Sequence, residues 1–139
     1  MKYIFALTLL LAGLAQADTS LKVGGFSYHV KEDDHTNSFH RLVLLEKDYI
    51  AVGYARNSYD QDIFIASYYH TFEFTQVRVK THFGATHGYS SCYDKKEGSK
   101  RVTCGMIAPE FEFKTRFKPS ATIFLDAIVL SFDFIELLN

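Results

Sequence analysis

Two stretches of this chain alternate without a fault, and that alternation limits the fold more than any other feature. Val77-Arg78-Val79-Lys80-Thr81-His82-Phe83 puts Val77, Val79, Thr81 and Phe83 on one side and Arg78, Lys80 and His82 on the other. Glu110-Phe111-Glu112-Phe113-Lys114-Thr115-Arg116-Phe117 sets Phe111, Phe113, Thr115 and Phe117 against Glu110, Glu112, Lys114 and Arg116. A period of two means extended backbone with one face toward something apolar and the other toward something polar. Alternation does not say which face is inside. In a lipid-embedded barrel the apolar face looks out and the charges fill the bore as ion pairs; in a soluble barrel the same sequence turns inside out.

The same period runs through most of the chain. Strands are expected over Gly25–Val30, Arg41–Glu46, Tyr49–Ala55, Ile63–Phe74, Val77–Tyr89 and Ala108–Phe117, with Ala121–Leu138 long enough for two more. No turn residue marks the fold-back in that last stretch, and a reversal near Asp126–Val129 is the expectation. Polar breaks at 33–38, 56–62 and in the segment between the cysteines are long; Lys47-Asp48, Thr75-Gln76 and Lys118-Pro119-Ser120 are short. Eight strands with long and short connections alternating predict an all-β, eight-stranded antiparallel up-and-down barrel, of outer-membrane type. Strand lengths near the 9–11 residues of a tilted membrane strand agree. So does a content of 13 Phe and 9 Tyr without Trp, enough for interfacial girdles. The carboxyl terminus, Phe134-Ile135-Glu136-Leu137-Leu138-Asn139, lacks the terminal aromatic common in such barrels, so a soluble periplasmic or secreted barrel stays open as the alternative.

Residues 1–17 predict where the protein works. Lys2 precedes the apolar run Ile4–Ala15, too short to span a bilayer, and Ala15-Gln16-Ala17 is a small-x-small cleavage site. We expect a secretory signal peptide cut before Asp18, and one barrel domain over 18–139. Without Lys2 the formal charge is 14 − 16 = −2, which gives no electrostatic reason for a nucleic-acid partner. In an oxidising compartment Cys92 and Cys104 are expected to pair and to staple a charged surface loop. Lys95, Lys96, Lys100 and Arg101 make the tip of that loop basic, which reads as a solubilising hairpin tip, with contact to anionic lipid phosphates as the alternative.

Four pieces then resemble a known family in order along the chain: Gly25-Phe26-Ser27-Tyr28-His29, Ala51-Val52-Gly53-Tyr54-Ala55-Arg56-Asn57-Ser58, Gly84-Ala85-Thr86-His87-Gly88-Tyr89 and Ile107-Ala108-Pro109. They resemble the PagP-type lipid A acyltransferases, and most of all their short bacterial and phage-borne relatives. The resemblance implies an eight-stranded outer-membrane barrel that moves an acyl chain from a phospholipid to lipid A. It assigns catalysis to His29 and Ser58, with Asn57 standing where the family carries Asp. Asn cannot ionise, so any role of that carboxylate is lost. A bore holding Arg78, Lys80, Glu110, Glu112, Lys114 and Arg116 is, moreover, expected to make a poor slot for hydrocarbon.

Topology gives a reading independent of the family. His29, Asn57, Ser58, His87, Tyr89 and the Cys92–Cys104 loop should share the long-loop rim, with His87 and Tyr89 as binding residues. A hydroxyl beside a histidine suits acyl transfer, and Ser58 with His29 or His87 could supply the pair. The plain alternative is turn chemistry at Asn57-Ser58, with the histidines as rim or bore hydrogen-bonders. His35, His40 and His70 have no spacing for a metal, and solvated loop residues are the expected account of them; no cofactor is called for. Membrane lipids are the expected partners and a monomer the expected state. Three functions remain: a lipid A acyltransferase, a non-enzymatic surface-interaction barrel, and a soluble binder of small apolar ligands.

Overall fold

A computed structural model of the chain describes residues 19–29, 38–92, 100–124 and 127–135. Its architecture is a closed antiparallel barrel in which each strand pairs with its sequence neighbours and the last returns to the first. The strands are β1 (Ser20–His29), β2 (Phe39–Lys47), β3 (Ile50–Arg56), β4 (Asp62–Glu73), β5 (Val77–Tyr89), β6 (Val102–Phe113), β7 (Ser120–Phe124) and β8 (Ala127–Asp133). The expected signal peptide, and Lys95 and Lys96 of the basic loop tip, lie outside the described residues.

The two faces are settled. Lys22, Glu46, Lys80, His82, Glu110 and Glu112 are all buried in the bore. Phe26, Phe64, Phe72, Phe83, Ile107 and Leu130 point outward and are exposed. The outer face is thus rich in exposed apolar side chains, and buried ionic groups face the bore.

Several strand limits depart from the sequence reading. β1 begins at Ser20, five residues before the expected start at Gly25, and Gly24-Gly25 is a bulge inside the strand. The ladders to both β2 and β8 shift register between Gly24 and Phe26. Gly25 has φ +101° there, and a Cβ on it would stand 2.9 Å from the Leu42 backbone nitrogen. β6 runs from Val102, so the segment following Cys92 is shorter than expected. It also stops at Phe113: Lys114, Thr115, Arg116 and Phe117 form an exposed turn, held by the Lys118 N–H donating to the Thr115 carbonyl at 3.0 Å. Lys114 and Arg116 are therefore not in the bore. Lys114 instead reaches Glu73 at the rim, Nζ to Oε2 2.6 Å. The final reversal precedes Ala127, which pairs with Phe124, so Ala127, Ile128 and Val129 belong to β8 and Asp126 lies outside the described residues.

One rim carries the β1–β2, β3–β4, β5–β6 and β7–β8 connections; the other carries the three remaining turns and the start of β1. The ladders are unequal. β5 and β6 pair from Val77↔Phe113 to Tyr89↔Val102, whereas β6 and β7 share only Glu110↔Thr122, Phe111↔Ala121 and Glu112↔Ser120. Next along β6 is Pro109, which has no N–H to give a neighbour. Among the described residues, the loop-side half of β6 has a partner on one side only. The β6–β7 ladder among the described residues thus ends at Glu110↔Thr122.

Candidate functional site

The bore divides into two halves with opposite chemistry. Toward the turn rim, three glutamates and three cations interlock. Lys22 bonds Glu110 and stands 3.0 Å from Glu112 Oε2; Lys80 reaches Glu46 Oε2 at 2.5 Å and Glu112 Oε2 at 3.1 Å; Arg78 bonds Glu112 Oε1 at 3.0 Å. Each charge here has more than one partner, which is what makes burying it tolerable.

Toward the loop rim the bore opens into a well of about 460 Å³. Leu42, Leu44, Ile63, Ile65, Met106 and Val129 line its walls, and His82 and Glu110 form the floor against the ionic plug. The charges expected along the bore occupy only its turn-side half, which leaves the walls of the loop-side half apolar. A sequence signal existed. In Leu42-Val43-Leu44-Leu45 and Ile63-Phe64-Ile65-Ala66 alternation lapses, and a strand apolar on both faces has something apolar on each side.

The mouth of the well holds a chain of hydrogen bonds across three strands. His40 Nδ1 lies 2.7 Å from the Arg56 carbonyl, which can only accept, so that nitrogen carries the proton. In the neutral ring Nε2 is then the acceptor, and Ser27 Oγ at 2.5 Å donates to it. Ser27 Oγ in turn accepts from His29 Nε2 at 3.0 Å. Ser58 Oγ stands 3.3 Å from the same His29 nitrogen. These protonation states follow from the network that satisfies every partner.

The bulge in β1 makes this cluster possible. Lys22 and His29 are seven residues apart, an odd number, yet both face the bore, because the extra residue at Gly24-Gly25 reverses the parity between them. Gly88 does the same in β5: its φ is +124° and the β5–β6 register shifts between His87 and Tyr89.

The expected site residues fare differently. His29 and Ser58 meet at the mouth. Asn57 adjoins them and is buried, but its side chain organises the β3–β4 loop. Its Oδ1 accepts from the N–H groups of Tyr59 and Gln61, both at 2.9 Å, and its Nδ2 donates to Gln61 Oε1 at 3.1 Å. That is turn chemistry, the plain alternative for this position. Tyr89 lines the well. His87 does not join it: it points outward and bonds Thr103 Oγ1 at 2.9 Å across the ladder. Cys92 and Cys104 are bonded, and Cys92 borders the well.

His40, expected as a solvated loop residue, is buried within β2 and belongs to the mouth. Ser27, which the sequence reading assigned no part, links the two histidines. His70 is exposed on the outer wall with its ring edge-on to Phe72, while His35 lies outside the described residues. No family model, curated protein or solved structure matches the chain.

Proposed function

We propose that this protein is an outer-membrane barrel that admits a lipid acyl chain into the well and transfers it between lipids at the mouth. The observation that carries the proposal is the apolar well itself, closed below by the ionic plug and topped by His29 and Ser58 at 3.3 Å. Its volume falls within the range of about 300–1,000 Å³ usual for small-molecule sites. From His40 at the mouth to Glu46 in the plug is six residues of β2, which at the usual strand rise and tilt gives a depth of about 15 Å.

The setting supports the same reading. An outward apolar face with ionic bore residues is the pattern of a bilayer barrel. Tyr49, Phe74 and Phe117 are exposed at the turn connections, and Tyr28, Phe39 and Phe64 near the loop-side strand ends, as aromatic girdles would be. β4, β5 and β6, with 12, 13 and 12 residues, are long enough to cross. The short β6–β7 ladder, which stops beside Pro109, favours a sideways route for a chain from the lipid to Met106, Ala108 and Phe124, which line the well. Arg56, on the same mouth, offers a cation to a lipid phosphate.

The chemistry is then an ester exchange. Ser58 Oγ attacks the acyl carbonyl as His29 Nε2 takes its proton; the departing lipid oxygen receives that proton as the old ester bond breaks. An acceptor hydroxyl attacks the acyl-Ser58 ester in the reverse sequence and frees the enzyme. For His29 to act as base its ring must take the other neutral tautomer, with the proton on Nδ1 and Nε2 free to accept from Ser58 Oγ, so that exchange precedes the reaction. The resemblance to PagP-type enzymes points to phospholipid as donor and lipid A as acceptor.

Mass spectrometry of lipid A tests this in a Gram-negative host lacking lipid A palmitoylation. Expression should add one acyl chain with the wild type and none with Ser58→Ala. Unmodified lipid A alongside a folded wild-type barrel refutes transfer and leaves lipid binding. Asn57's structural role and the resting His29–Ser27 bond favour that second reading.

A further inference from the structure

The floor of the well contains polar atoms that the ionic plug leaves unsatisfied. His82 Nε2 and Glu46 Oε1 are buried and have no hydrogen-bond partner. They face one another at 3.8 Å, and Glu110 Oε2 lies 3.4 Å from the same histidine nitrogen. Glu46, His82 and Glu110 can each present one atom to a common point, all within 4.8 Å of one another.

We propose that these three residues bind a divalent transition-metal ion of the zinc type, reached through the well. Ligand atoms of a tetrahedral site with bonds of about 2.1 Å stand about 3.4 Å apart, close to the two histidine–carboxylate spacings here. The remaining contacts are those of an outer shell. Glu46 gives its other oxygen to Lys80, and Glu110 gives its other oxygen to Lys22. Thr122 Oγ1 supports Glu110 Oε2 at 3.5 Å. His82 Nδ1 meets Ser67 Oγ at 3.2 Å, a partner able to hold the proton on Nδ1 and leave Nε2 as a ligand. Two carboxylates and one imidazole are borderline-hard donors that suit zinc. A fourth position faces the well, since His82 and Glu110 line its floor.

Charge opposes the ion in one respect and favours it in another. Lys22 Nζ stands 3.8 Å from Glu46 Oε1, so an ammonium is near the proposed ion. However, the buried groups include four carboxylates (Glu46, Glu110, Glu112, Asp133) against two ammonium groups (Lys22, Lys80). Adding Arg78, one-third exposed, still leaves a negative excess. A cation at the three-residue point offsets it.

Cobalt titration of the full barrel, refolded in detergent and freed of metal, tests the site, with zinc as competitor. One Co²⁺ should bind per barrel, with intense visible d–d absorption that zinc abolishes. His82→Gln should weaken binding about 100-fold and Ser67→Ala about 10-fold, whereas His29→Gln and His70→Gln should change it little. Gel mobility with and without boiling reports folding of each variant, and Ser67→Ala carries the test where His82→Gln does not fold. The proposal is overturned if the folded wild type binds no stoichiometric Co²⁺, leaving a trapped water as the occupant. It is equally overturned if Ser67→Ala and His82→Gln bind as the wild type does, or if His29→Gln abolishes binding and so moves the ion to the mouth.

Discussion

His29 Nε2 and Ser58 Oγ stand 3.3 Å apart across the mouth of an apolar well, although 29 residues separate them in the chain. The pair joins the end of β1 to the loop after β3, and β2 between them contributes His40 to the same cluster. Replacing either member should abolish transfer: His29→Ala and Ser58→Ala are each expected to lower acyl transfer at least about 100-fold, in the range of general-base and nucleophile losses. Incubation with a p-nitrophenyl acyl ester, followed by intact-mass measurement, should show an acyl adduct on the wild type and none on Ser58→Ala.

Ser27 competes with Ser58 for the same nitrogen of His29. Ser27→Ala removes the group to which His29 donates, so transfer should be retained or rise. A loss as large as that of His29→Ala would mean that Ser27, not Ser58, is the working hydroxyl. Initial rates for the three variants decide between them.

The well's volume should set which chains fit. Ala108 is buried on the wall and Leu44 lies across the bore. Ala108→Leu adds three carbons to this space and should shift preference toward shorter acyl chains while sparing the shortest. Competition between lipids of graded chain length reads that shift; equal loss for all lengths would indicate a disturbed barrel instead.

Much of this architecture could be read from the sequence, because period-two patterning is a local signal that barrel closure preserves. Val77–Phe83 and Glu110–Phe113 alternate in the structure as they do in the sequence, with Lys80 and Glu112 inside and Val79 and Phe111 on the other face. What was lost depended on single backbone positions. The bulge at Gly24-Gly25 hid the start of β1 and the parity that turns His29 inward, and Gly88 separated His87 from Tyr89. Lys114 and Arg116 continue the pattern of β6 but lie beyond its end, where only the turn decides their position. Ser27 and His40 became visible as site residues only once three strands were side by side.

Within the plug, removing one partner should cost more than removing two. Lys22→Met leaves Glu110 and Glu112 short of a buried cation and should destabilise the barrel by about 3–5 kcal/mol. Adding Glu110→Gln to Lys22→Met should recover part of the loss. Urea unfolding in lipid vesicles, followed by tyrosine fluorescence, measures both. Equal stability of Lys22→Met and wild type would mean the bore is wetter than the buried ion pairs imply.

The Cys92–Cys104 bond closes a loop of 12 residues' separation. Chain-entropy arithmetic for a closure of that size gives about 3 kcal/mol, so Cys92→Ser/Cys104→Ser should be destabilised by up to that amount while remaining a barrel. Its unfolding midpoint should fall by the same increment as that of the reduced wild type, since both lack only the bond.

The central claim is that the apolar wall faces lipid while the ions face inward. Spin labels at Ile107 and Leu130, placed singly in the Cys92→Ser/Cys104→Ser background and reconstituted in vesicles, test it most directly. Both should collide freely with dissolved oxygen and hardly at all with a water-soluble nickel chelate. Nickel accessibility at both positions, in a folded barrel, would place that wall in water and contradict the account.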